Sequence, residues 1–243
     1  MSKRIRYFLG HLSISVIIAL VIIGLVFFVW YPTPLAKAVG VTHIFLMLIL
    51  IDVIVGPLLS LLVYKEGKKT LKMDLSVIIL VQVLALGYGL FNIVQGRPVW
   101  LVQNGDRFEM VRQNEIDKTK LAQAKPEFQS NWGMPKFVTL QKELTVEKQN
   151  EQLFADLAKG VRSEEHPERY AALSTAKDLM SKAAQDIAVL SDFNSSEQVT
   201  QILKQYPDAN VWLPLKALDV DMVVLINKEK GEVVKIVDLR PWK

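Results

Sequence analysis

Residues 12–30 read LSISVIIALVIIGLVFFVW, residues 41–64 read VTHIFLMLILIDVIVGPLLSLLVY, and residues 75–94 read LSVIILVQVLALGYGLFNIV. A bilayer's hydrocarbon layer is about 30 Å thick, so a helix rising about 1.5 Å per residue crosses it with about 20 mostly apolar residues. Each stretch has that length, each is bounded by charge, proline or glycine, and a single carboxylate, Asp52, lies well inside them. Three transmembrane helices are therefore expected within residues 1–96, with a separate water-soluble domain over residues 97–243. Apolar residues make up 51% of the 243. Their crowding before Gln95 excludes one uniform core.

Lys3, Arg4 and Arg6 precede the first stretch, and Lys65, Lys68, Lys69 and Lys72 fill the loop after the second, whereas residues 31–40 carry only Lys37. Short basic segments stay cytoplasmic, so the amino terminus and the 65–72 loop are placed inside and everything after Gly96 outside. In a two-membrane bacterium this means an inner-membrane protein with a periplasmic carboxy-terminal domain. Trp30, Tyr31, Tyr64 and Trp100 are expected near the interfaces. The rival for the first stretch is a cleavable signal peptide ending near Ala36-Lys37-Ala38, but its apolar run exceeds the usual 7–15 residues, which favours a retained anchor. The net charge of +4 has a topological explanation, so no nucleic acid is implied. The absence of cysteine excludes disulfides, thiolate nucleophiles and cysteine-held metals.

Beyond the spans, residues 99–103 and 107–111 flank Asn104-Gly105 and predict a β-hairpin. Leu153, Phe154, Leu157 and Val161, with Gly160 near the end, predict a short amphipathic helix. Pro167, followed by Tyr170, Leu173, Leu179, Met180, Ala183, Ala184, Ile187 and Leu190, predicts a long one. Ser195 and Gln198 predict a capping box on a third helix that stops before Pro207. Residues 222–226 and 233–239 around Gly231 predict a closing hairpin. The sum is a small α+β domain whose hairpins share one antiparallel sheet.

Asp52 is the most informative residue, because a carboxylate at membrane depth costs about 2.5–3.5 kcal/mol on insertion scales and faces a partner or water. Gly56 lies one turn later, and Pro57 frees a backbone carbonyl, so the helix is expected to bend and admit a close neighbour. Gln82 and Tyr88 of the third span are the expected donors to the Asp52 carboxylate. Two readings stand: Asp52 holds the bundle together, or it meets a client helix. Asp74 is read as the helix cap of the third span. Glu164, Glu165, His166 and Glu168 are read as a solvated helix start, not a metal site. No phosphate loop, nucleophile elbow or two-histidine helix is present, so neither catalysis nor a cofactor is expected.

The run YPTPLAKAVGVTHIFLMLILIDVIVGPLLSLLVYKEGKKTLKMDLSVIILVQVLALGYGLFNIVQGRPVW resembles the membrane region of the TfpX/TfpZ family of type IV pilin accessory proteins. VWLPLKA, read as a proline-leucine turn, and DMVVLINKEKGEVVKIVDLRPWK resemble that family's carboxy-terminal end, and Gly96-Arg97-Pro98 its membrane-to-domain junction. The resemblance implies a non-enzymatic inner-membrane chaperone for assembly or cycling of a major type IV pilin, with inner-membrane pilus assembly proteins as further partners. The alternative is a periplasm-sensing signalling or gating subunit of a membrane complex.

Overall fold

The computed structural model describes residues 1–141 and 145–243. Helix α1, Lys3–Leu25, continues through a π-helical turn at Val26–Trp30. A short α2, Leu35–Val39, ends at Gly40 in the left-handed conformation, and α3, Val41–Val63, follows at once. Helix α4 spans Leu71–Gly96. The three long helices are long and apolar enough to cross a membrane. Their outward faces are apolar, with Val21, Leu62 and Leu84 all largely exposed, and such a surface is stable only in lipid.

The chain then builds β1 (Pro98–Asn104), β2 (Arg107–Arg112), α5 (Pro126–Gln129), β3 (Lys136–Leu140), α6 (Val146–Lys159) and β4 (Tyr170–Ala172). It closes with α7 (Lys177–Ala183), β5 (Gln185–Asp186), α8 (Ser196–Leu203), β6 (Val211–Lys216), β7 (Met222–Asn227) and β8 (Glu232–Val237). One sheet runs in the order β4-β3-β1-β2-β6-β7-β8, with β5 on β6. The two expected hairpins are present and share that sheet. It is mixed rather than antiparallel, because β1 pairs β3 and β2 pairs β6 in parallel.

The amphipathic helix ending at Gly160 forms as α6, with Gly160 left-handed at its end. In the first hairpin Gly105 takes the positive φ (65°), while Asn104 stays in β1. Ser195 caps α8 through Oγ, but the Gln198 carboxamide donates to the Asp238 carbonyl at 3.4 Å instead of closing a capping box.

The long helix expected over 167–190 does not exist. Tyr170 pairs with Leu140 and Ala172 with Val138, while Gln185 pairs with Trp212, so the sheet claims both ends of the segment. Its apolar residues serve three separate cores: Tyr170 packs on Trp100 and Phe128, Met180 joins the cluster with Leu213 and Val224, and Leu190 joins that of Trp212. A helical spacing of apolar residues is thus compatible with short strands and 3₁₀ turns when tertiary pairing supplies the partners.

VWLPLK is a strand and not a turn. Strand β6 pairs β5 at residues 211 and 212 and β2 at residues 215 and 216, so Pro214 falls between the two partners, where neither requires its missing N–H.

Candidate functional site

A polar seam runs through the helix bundle. Gln82 Nε2 on α4 donates to the Asp52 backbone carbonyl at 2.7 Å and approaches Ser15 Oγ on α1 at 3.4 Å. One turn toward the other end of the bundle, His11 Nδ1 and Ser60 Oγ lie 2.7 Å apart. Asp52, Gly56 and Ser60 recur every fourth residue, which puts them on one face of α3, and His11 and Ser15 answer with the same spacing on α1. In lipid, such small and polar residues let helices approach closely and hydrogen-bond across. Gly56 makes the approach possible: a Cβ there would lie 2.0 Å from Gln82 Oε1. Gly89 does the same for Leu48, whose Cδ2 would be 2.5 Å from an added Cβ.

The geometry of Asp52 differs from the sequence expectation. Gln82 reaches its main-chain carbonyl, one residue before the Val53 carbonyl that Pro57 leaves without an N–H donor, and not its carboxylate. Tyr88 is 73% exposed on the outer face of α4, and its own carbonyl accepts from Asn92. Asp52 itself is 8% exposed. Among the described residues no hydrogen bond or ion pair reaches its carboxylate. A cleft of about 120 Å³ between α3 and α4 is lined by Asp52 and Gly56 together with Leu48, Ile78, Gln82 and Ala85. Asp74 is not the cap of α4 either. Thr70 holds that position, and Asp74 sits in the first turn, bonded by Lys68 Nζ at 2.7 Å and Thr70 Oγ1 at 3.0 Å.

At Gly96, Arg97 and Pro98 the chain passes from helix to sheet through a buried knot. Gly96 is the last residue of α4, and the Tyr31 hydroxyl, which donates to the Ile93 carbonyl at 2.6 Å, would stand 3.4 Å from a Cβ added there. Arg97 is 1% exposed and donates through Nη2 to Gln113 Oε1 at 3.0 Å and to the Asn131 carbonyl at 2.5 Å. Its Nε and Nη1 are buried without a partner, and its guanidinium stacks 5.2 Å from the Trp132 ring centroid. Burial lowers the Arg97 pKa and pushes the Tyr31 phenol far up, since each charged form loses hydration there. Pro98 opens β1, where its fixed φ suits a strand start.

The loop between the first two spans is a plug under the sheet. Tyr31, Leu35 and Ala38 are buried in one cluster with Leu213, Leu215 and Val224. The Ala38 carbonyl accepts from the Asp219 and Val220 N–H groups at 2.9 and 3.2 Å, and Lys37 Nζ meets Asp238 Oδ2 at 2.6 Å. Tyr31 in this cluster, and Trp100 in the one with Phe128 and Tyr170, are each 1% exposed and face protein.

The acidic segment also departs from expectation, for Glu164, Glu165 and His166 are buried. Arg162 lies among Glu109, Glu115, Glu164 and Glu165; burial lowers its pKa, but the Glu165 hydrogen bond and the charges of Glu164, Glu165 and Glu115 outweigh it and raise the pKa. Arg169 donates to both Asp156 oxygens at 2.6 and 2.8 Å. Burial pushes the Asp156 carboxyl up, but the Arg169 and Ser163 hydrogen bonds outweigh it and hold the group low. His166 lies 3.2 Å from Asp156, 3.3 Å from Glu168 and 3.4 Å from Asp117. Among the described residues no three such groups have the geometry to hold a metal ion.

Residues 1–40 match the family model described as fimbrial assembly protein FimB. The chain is 38% identical over 120 residues to the fimbrial assembly protein of serogroup I from Dichelobacter nodosus, a match covering 49% of this chain and 47% of that protein. The serogroup E1 protein of the same organism matches to the same extent, so the chain spans about half the length of these two relatives. The protein of serogroups C1 and C2, also from Dichelobacter nodosus, is 36% identical over 116 residues, covering 47% of this chain and 88% of that protein. No solved structure matches.

Proposed function

This chain belongs to the fimbrial assembly protein family, and from that premise we propose that it is an inner-membrane accessory protein of type IV pili that holds a cognate major pilin before polymerisation. The finer assignment to the TfpX/TfpZ type rests on the motif resemblance at both ends of the chain. The basic flanks supply the orientation: amino terminus and 65–72 loop in the cytoplasm, sheet in the periplasm.

The observation that carries the reading is the partnerless Asp52 carboxylate in the cleft between α3 and α4. A buried carboxyl group without a hydrogen-bond partner is costly, and a client helix bringing a donor into that cleft would satisfy it. Interhelical hydrogen bonds in lipid contribute on the order of 0.6 kcal/mol, so the membrane contact is reversible, as a holding protein requires. A pilin has an apolar helix in the bilayer and a globular head outside. The bundle serves the helix, and the edge strand β8 offers backbone groups to the head. No catalysis enters this role.

In-cell crosslinking tests it. A photocrosslinking residue at Leu59, which lines the cleft, should capture the pilin helix, and one at Lys235 on β8 should capture its head. Pili that depend on the protein while neither position reaches pilin would refute the holding role.

A further inference from the structure

The loop between α5 and β3, Ser130-Asn131-Trp132-Gly133-Met134-Pro135, carries two exposed large apolar side chains: Trp132 is 68% and Met134 55% exposed. The backbone beneath them is fixed. The Trp30 indole N–H donates to the Trp132 carbonyl at 3.2 Å, and Arg97 Nη2 donates to the Asn131 carbonyl. The Asn131 side chain donates to the Val99 and Met134 carbonyls at 3.2 and 2.8 Å and accepts from the Gly133 N–H at 3.2 Å. Trp30 ends the first span, and Arg97 is the residue after the third. The loop is therefore bolted to two span ends at once, at the level where hydrocarbon gives way to headgroups.

A loop this well held gains nothing in water by presenting an indole and a thioether. An amphipathic ring beside a span end has one chemical partner that is present along the whole perimeter, the interfacial zone of the bilayer. The Arg97 guanidinium behind the ring turns one Trp132 face to a cation and leaves the rest of the indole outward. We propose that Trp132 and Met134 insert into the outer interfacial zone of the membrane beside α1 and α4, so that the sheet stands on the bilayer in one fixed orientation. This rests on the three helices crossing a membrane and not on the pilin client. Loss of pilin crosslinks leaves it standing.

The test uses the full chain, alone, in vesicles of phosphatidylethanolamine and phosphatidylglycerol. Because the chain has no cysteine, Met134→Cys gives one nitroxide site, and Lys228→Cys in the β7–β8 turn gives an aqueous reference. Collisions of the Met134→Cys label with oxygen relative to a water-soluble nickel chelate should exceed those of the Lys228→Cys label several times over. A ratio equal to the Lys228→Cys reference overturns the proposal, and so does shielding from both reagents, which would mean contact with another copy. In the second arm, lipids brominated near the headgroup should quench tryptophan emission more in the wild type than in Trp132→Phe, which keeps the backbone bonds. Equal quenching in the two proteins overturns it as well.

Discussion

Replacing Gly56 by alanine puts a methyl carbon where the Gln82 carboxamide now lies, 2.0 Å from its Oε1, 2.1 Å from Cδ and 2.3 Å from Nε2. Atoms cannot share that space, and Gln82 must leave. It then gives up the 2.7 Å bond to the Asp52 carbonyl and the 3.4 Å contact with Ser15. Hydrogen bonds between membrane helices average about 0.6 kcal/mol and reach about 1.7 kcal/mol. Adding the lost close contact of α3 with α4, the substitution should destabilise the bundle by about 1–2 kcal/mol, roughly 5–30-fold in its equilibrium. The assay is titration with sodium dodecyl sulfate in mixed micelles, read by energy transfer between dyes at Lys3→Cys and Lys69→Cys. The loss should nearly vanish in a Gln82→Ala background, where no carboxamide opposes the methyl, giving a coupling energy close to the whole effect. An equal cost of Gly56→Ala with and without Gln82 would refute the packing described here.

Three further outcomes are expected. Arg169→Ala strips Asp156 of two bonds while the carboxylate stays buried, and should cost about 3–5 kcal/mol in thermal unfolding of the sheet domain. Because the Asp156 pKa is depressed on folding, its stabilisation is full above the ordinary carboxylate pKa and fades as pH falls through the folded value. The stability gap between wild type and Arg169→Ala should therefore close in acid, and a gap constant with pH would count against the pairing. Asp52→Leu should impair piliation more than Asp52→Asn, which can still hydrogen-bond, and wild-type piliation in both would remove Asp52 from the site. Reporters fused after Lys69 should be active only in the cytoplasm and those after Lys243 only in the periplasm, and cytoplasmic activity at Lys243 would overturn the orientation.

What was legible in the sequence was what depends on local period alone. A run of about twenty apolar residues is long enough for the bilayer whatever surrounds it, and Gly105 or Gly231 between strand-like runs closes a hairpin without help from afar. What depends on distant partners was not. Strands β4 and β5 exist only because β3 and β6 lie beside them, and Pro214 is harmless in β6 only because β5 and β2 stop short of it. Glu164 is buried against Arg162, and His166 beside Asp117 and Asp156, pairings that no spacing rule supplies. Within the membrane, Asp52 and Gly56 were visible as exceptions in an apolar run. The other members of the polar seam, His11, Ser15 and Ser60, were legible in retrospect, through a four-residue spacing shared by α1 and α3. Trp132 carried no signal, because its place beside Trp30 is made by a hydrogen bond spanning a hundred residues of sequence.

The holding model assigns pilin choice to the sheet and retention to the bundle. Exchange of residues 97–243 between two relatives that serve different pilins separates these roles, with pilin-specific piliation as the readout. The junction at Arg97, fixed through Gln113 and Asn131 on the exchanged side, travels intact with the sheet. The account predicts that the chimera assembles the pilin of the donor of its sheet. A chimera that keeps the client of its membrane half would contradict it.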